Sequence, residues 1–238
     1  MKKIIAFVLA MVLVAVASIG ATLAYLTDTD YEVNTFTYGN VSIDLTETFD
    51  EENAKLLPST GSAQDGTLEN GVKKEVYVEN TGSEDAYVRV HIAIPAILDD
   101  GAETFDASQN ILHFNYPKES IGAGLWDWSD STGAPYEGNW NAYTTTIDGN
   151  PYNVYVVTHE GKLVKNQKTG MAMSQVYLDS KVTNEQLAII NDALSGKWNI
   201  YVYAEGAQAE GFDNAYAALN AAFGAPGYEI NWTGAVAQ

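Results

Sequence analysis

His159 and Glu160 are the first residues in this chain whose types and spacing suggest chemistry. A zinc-peptidase helix carries a second histidine three residues beyond the glutamate, so that both imidazoles leave one helical face. That position here is Leu163. The other two histidines, His91 and His113, fall in strand-like patterns and read as half-exposed strand residues without convergent ligands. No zinc site follows from this spacing. The chain has no cysteine, which removes disulfides, thiol nucleophiles and Cys-ligated metals together. It also has no Gly-rich phosphate loop, no Gly-x-Ser-x-Gly elbow and no readable Ser/His/Asp spacing. The expectation is a protein without catalytic residues.

Acidic residues gather at Asp28 and Asp30, at Asp50 to Glu52, at Asp99, Asp100 and Glu103, and at Asp127 and Asp130. Loops of this kind can supply the oxygens calcium wants, but none follows the EF-hand pattern of a glycine and a closing glutamate. They read as solvated surface, with calcium as the alternative and no other cofactor expected. Trp126, Trp128, Trp140 and Tyr143 form a candidate aromatic platform for glycan stacking. The competing role of such rings in a β protein is core packing. Leu57-Pro58-Ser59-Thr60-Gly61 spells a sortase signal, yet it sits in the first long loop with no apolar stretch and basic tail behind it. It reads as an accidental match.

The elements that must position these residues are mostly strands. Val41 to Thr46 alternates apolar and polar residues, and 49 to 71 reads as a polar loop. Val76 and Val78, then Val88, Val90, Ile92 and Ile94 beyond Asn80-Thr81-Gly82, read as neighbouring strands of one sheet. Further strands are expected at 111–116, 141–147, 152–158, 171–178 and 198–204. Thr183-Asn184-Glu185-Gln186 is a capping box ahead of Leu187, Ile190 and Leu194, with Gly196 as the stop. A second helix begins near Asp213, carries Tyr216, Leu219 and Phe223, and ends at Gly224-Ala225-Pro226. The fold expected is mostly β, a jelly-roll-like antiparallel sandwich with two short covering helices.

Composition narrows the function classes. Twelve basic residues stand against 31 acidic ones, a formal charge of −19, so nucleic acid is excluded as a partner. Hydrophobic residues make up 46%, enough for a packed core. Lys2 and Lys3 precede an apolar run from Ile4 to Ile19 broken only by Ser18, and Thr22-Leu23-Ala24 follows. This reads as a secretory signal over 1–24, cleaved between Ala24 and Tyr25, with an uncleaved N-terminal anchor extended through Leu26 as the alternative. An extended segment over 25–38 and a sandwich domain over 39–238 complete the expected organisation.

Ala24-Tyr25-Leu26-Thr27-Asp28, then Asn34-Thr35-Phe36-Thr37-Tyr38-Gly39-Asn40-Val41-Ser42-Ile43-Asp44-Leu45, resembles the start of the TasA and camelysin family of Gram-positive biofilm-matrix proteins. Lys74 to Gly82 with Ala86 to Val90 is similar to that family's strand, Asn-x-Gly turn and strand. The resemblance covers about residues 18 to 95. It implies processing by a SipW-type signal peptidase, location in the extracellular matrix or at the cell surface, and self-assembly into homopolymeric fibres. Camelysin's metal-dependent peptidase activity would also be implied, and the missing second histidine argues against it here. Val33, Asn34, Thr35, Phe36 and Thr37 form the candidate donor strand, entering either a neighbour's sheet or their own. The alternative is a monomeric surface-associated module that binds glycan through the Trp-rich middle.

Overall fold

A computed structural model describes residues 40–49, 54–60, 68–99, 111–115, 126–134, 141–227 and 230–232. In chain order these hold β1 (Ile43–Phe49), β2 (Val72–Asn80), β3 (Ala86–Pro95), β4 (Leu112–Asn115), β5 (Trp126–Ser129) and β6 (Tyr143–Ile147). They continue with β7 (Asn150–Leu163), β8 (Met173–Leu178), α1 (Asn184–Ala193), β9 (Tyr201–Gln208) and α2 (Ala215–Phe223). The signal, its junction at Ala24 and Tyr25, and the candidate donor strand Val33 to Thr37 lie outside the described residues.

Two antiparallel sheets face each other. The first has the order β1-β2-β8-β4, and the second has the order β5-β7-β3-β9, with β6 also on β7. β5 pairs with residues 156–159 of β7 and β6 with 150–154, so the two short strands share one edge of the long one. The pairs are nested. β2 lies on β8 in the first sheet while β3 lies on β7 in the second, and likewise β4 on β8 and β5 on β7. This nesting is the jelly-roll pattern.

β2 and β3 are therefore not neighbours in one sheet, as the sequence pattern suggests; they face each other across the core. Asn80 sets the crossing. Its buried amide donates to the carbonyls of Glu84 (2.7 Å) and Leu163 (2.8 Å) and accepts from the N–H of Gly82 (2.9 Å). Thr81 and Gly82 then give their N–H groups to the Ser42 carbonyl instead of closing a hairpin. A Cβ on Gly82 would stand 2.2 Å from the Asn40 carbonyl oxygen, so only glycine fits this approach.

Val76 and Val78 from one sheet and Val88, Val90, Ile92, Ile94 and Val157 from the other meet in the main core. α1 closes the sandwich with Leu187, Ile190 and Leu194 on that core, and its Thr183 capping box is formed as the sequence predicts. α2 does something different. It lies on the outer face of the second sheet, where Ala215, Ala218 and Leu219 pack on Tyr87, Ala207 and Ala209. Ile230 and Trp232 continue this cover over Tyr201, Tyr203 and Val154. β3 is consequently buried on both faces.

Three smaller differences follow from tertiary pairing. β9 begins at Tyr201 and runs to Gln208, later than 198–204. Trp126 to Ser129 is a strand that the sequence pattern does not single out. The expected loop from 49 to 71 contains paired backbone: Ser59 donates its N–H to Leu178, and Glu69 donates its N–H to Thr60. Leu57-Pro58-Ser59-Thr60 is thus built into the first sheet's margin, with Ser59 buried.

Candidate functional site

Strand register assembles the most concentrated chemistry in the molecule. On the outer face of the second sheet, Arg89 of β3 stands opposite Glu205 of β9, and His91 stands opposite Tyr203. Tyr143 of β6 reaches the same place from across β7. Arg89, His91 and Glu205 are 1%, 0% and 4% exposed. Three polar residues sealed this completely must satisfy one another, because an unpaired buried charge is costly.

They do. Arg89 Nε donates to Glu205 Oε2, Nη1 to Asn220 Oδ1 (2.9 Å) and Nη2 to the Gly224 carbonyl (3.0 Å). The last contact places a cation on the C-terminal carbonyls of α2, where the helix dipole favours it. His91 Nε2 lies 3.2 Å from Glu205 Oε2, and His91 Nδ1 lies 3.1 Å from the Tyr143 hydroxyl. An ionised carboxylate only accepts, so the proton of neutral His91 sits on Nε2, and Tyr143 donates to Nδ1.

Burial holds the His91 pKa below its ordinary value, outweighing the pull of Glu205. For Glu205 burial acts upward, yet His91 and Arg89 more than offset it and the carboxyl stays low, with Arg89 the permanent counter-charge. Burial and the Glu205 charge both raise Tyr143, which keeps its hydroxyl protonated and able to donate. Among the described residues, little of this arrangement is open to solvent. It can store and release a proton when opened, and closed it is a polar tie between sheet and cover.

His91 and His113 are buried, not half-exposed as their strand patterns suggest, and His159 is buried too. His113 Nε2 lies 3.1 Å from Asp179 Oδ2 beneath the ring of Tyr177. His159 Nδ1 donates to the Gly161 carbonyl (2.7 Å) on a strand with a local register shift, and its ring meets Trp126 edge-on. Burial pushes the His159 pKa down, against the opposing effect of that carbonyl.

The described aromatic candidates do not form one platform. Trp126 is 1% exposed and donates Nε1 to the Gly170 carbonyl (3.0 Å) inside the main core. Trp128 packs edge-on to Phe114 and Tyr155. Tyr143 lies on the opposite face of that sheet with His91. Trp140 is outside the described residues. Of the acidic candidates, Asp99 accepts the Tyr155 hydroxyl (2.6 Å), and Asp127 accepts the N–H of Trp128 (2.9 Å). Asp130 accepts the N–H groups of Thr132 and Ala134; its slight burial acts upward, but these bonds hold its carboxyl below the ordinary range. Among the described residues no three acidic or histidine side chains converge as metal ligands.

Phe114, Trp128 and Tyr155 also mark the side of the sandwich where each sheet ends. β4 is the last strand of the first sheet and β5 lies at the margin of the second, and on their outer edges no described strand pairs with either. The opposite side is closed, because Ile43 of β1 packs on Gly206 of β9 so tightly that a Cβ there would lie 2.6 Å from it. Sequence patterning misses the buried Arg89, His91 and Glu205 set because it takes the polar positions of β3 for a solvent face. The signal available was an Arg and a Glu in strands whose other outward positions are Tyr87, Ala93, Tyr201 and Ala207. No protein-family profile matches this chain, and no curated protein matches it in sequence.

Proposed function

We propose that this chain is a secreted structural subunit that assembles into extracellular fibres by β-strand addition. The observation that carries the reading is that, among the described residues, β4 and β5 are each paired along one edge only, and that they lie together over the Phe114 and Trp128 rings. An extended segment seated there would gain main-chain hydrogen bonds and place alternate side chains against aromatic surface. Val33-Asn34-Thr35-Phe36-Thr37 has the β-prone composition for that role, and the resemblance of residues 24–46 and 74–90 to fibre-forming matrix proteins supports it. The glycan-binding alternative is weakened, since Trp126 and Trp128 serve the core.

Electron microscopy of purified protein spanning 25–238, beside the same protein starting at 38, tests the proposal. Fibres from the longer chain and folded monomers from the shorter are expected. Monomers from both at every concentration, or unfolding of the shorter one, overturn donor-strand assembly.

A further inference from the structure

The Arg89, His91 and Glu205 set is buried beneath α2 together with residues 224–227 and 230–232. Asn220 and Gly224 hold Arg89. Gly227 lies flat on Tyr143, where a Cβ would stand 2.8 Å from the ring, and the Trp232 ring centroid is 6.1 Å from that of Tyr203. Tyr143 and Tyr203 in turn each contact His91 at 6.0 Å between centroids. We propose that the Tyr143, His91, Glu205 and Arg89 chain is an acid-sensitive latch, holding this C-terminal cover on the second sheet and releasing it when the medium acidifies.

The hydrogen-bond pattern permits one satisfied state with neutral His91. A second proton on Nδ1 meets the Tyr143 hydroxyl, which must turn from donor to acceptor, and it adds a cation beside Arg89 with Glu205 as the shared anion. The titratable and charged groups described as facing His91 are Arg89 on its own strand, Tyr203 and Glu205 on β9, and Tyr143 on β6. β7 sets Val156 opposite it, and α2 contributes only the neutral Asn220 through Arg89. Lifting the cover lets water solvate the imidazolium, so protonation is easier in the open state, and acid makes opening easier by the same linkage.

The sign is the same for both titrating groups. The His91 pKa is depressed below 6.5, so the closed state keeps its full advantage above that pH and loses it as pH falls through the depressed value. Glu205, depressed below 4.5, adds a second loss at lower pH. Release is local because α2 rests on a separate small cluster rich in alanine, which buries little apolar area compared with the core between the sheets. It uncovers an apolar strip of Ala93, Tyr152, Val154, Val156 and Tyr201.

Hydrogen exchange of the full chain between pH 7.5 and 5, corrected for intrinsic rates, reads this directly. Protection of α2 amides is expected to fall by up to about tenfold per pH unit below the ordinary histidine range while β3 and β7 amides stay protected. His91→Gln, which cannot take the proton, should flatten that dependence. Tyr143→Phe, which removes the donor to Nδ1 and so brings the closed-state pKa nearer the ordinary histidine value, should shrink that dependence without moving its onset. Constant α2 protection, equal loss in α2 and β3, or an unchanged pH profile in both variants overturns the latch.

Discussion

Arg89 donates to a carboxylate, an amide and a helix-terminal carbonyl, so one side chain from β3 ties β9 and α2 together. Removing it leaves Glu205 ionised, buried and short of its permanent counter-charge. Arg89→Met should therefore cost about 3–5 kcal/mol in urea unfolding, and adding Glu205→Gln should recover about 1–3 kcal/mol of it. A single variant as stable as the parent would show that the pair is solvated in solution. Gly82 is the second residue whose identity the backbone dictates. Gly82→Ala drives a methyl into the Asn40 carbonyl and the Ser42 N–H, so a loss of about 1–3 kcal/mol is expected, with β1 amides exchanging faster than those of β8. Equal exchange of the two strands would mean that the crossing loop yields instead.

At the scale of elements, the short connections are locally encoded. Asp148 and Gly149, at φ 51° and 83°, make the two-residue turn between β6 and β7 that right-twisted strands favour. The α1 start rests on Thr183, whose hydroxyl accepts the Gln186 N–H (3.2 Å) while Gln186 Oε1 accepts the Thr183 N–H (2.9 Å). Thr183→Ala should cost about 1 kcal/mol, and Thr183→Asp much less, measured by thermal unfolding. If the two variants are equally destabilised, the cap contributes through packing and not through its hydrogen bonds. α2 starts similarly at Asn214, whose Oδ1 accepts the Ala217 N–H (2.9 Å), and it ends at Gly224. Both helices were legible because capping chemistry is local, whereas the surface each one covers is not.

For the whole molecule, the charge of −19 opposes any self-association. Raising ionic strength from about 0.01 M to about 0.15 M shortens the screening length from roughly 30 Å to roughly 8 Å. Fibre growth followed by light scattering should accelerate over that range. A rate indifferent to salt would mean that charge does not gate the encounter and would weaken the assembly proposal.

The sequence by itself determined the mostly β class, the two capped helices and the sandwich, because alternation, turn residues and caps act within a few neighbours. Tertiary structure alone decided which strands pair. Asn80-Thr81-Gly82 looks like a hairpin turn until Ser42, just before β1, accepts its N–H groups and the chain is sent to the other sheet. It also decided that β3 is buried twice, since an outward Arg89 or His91 is indistinguishable in sequence from a solvent-facing residue until α2 and Trp232 lie over it. The cluster of Arg89, His91, Glu205 and Tyr143 spans more than a hundred residues of chain, and only strand register could bring it together.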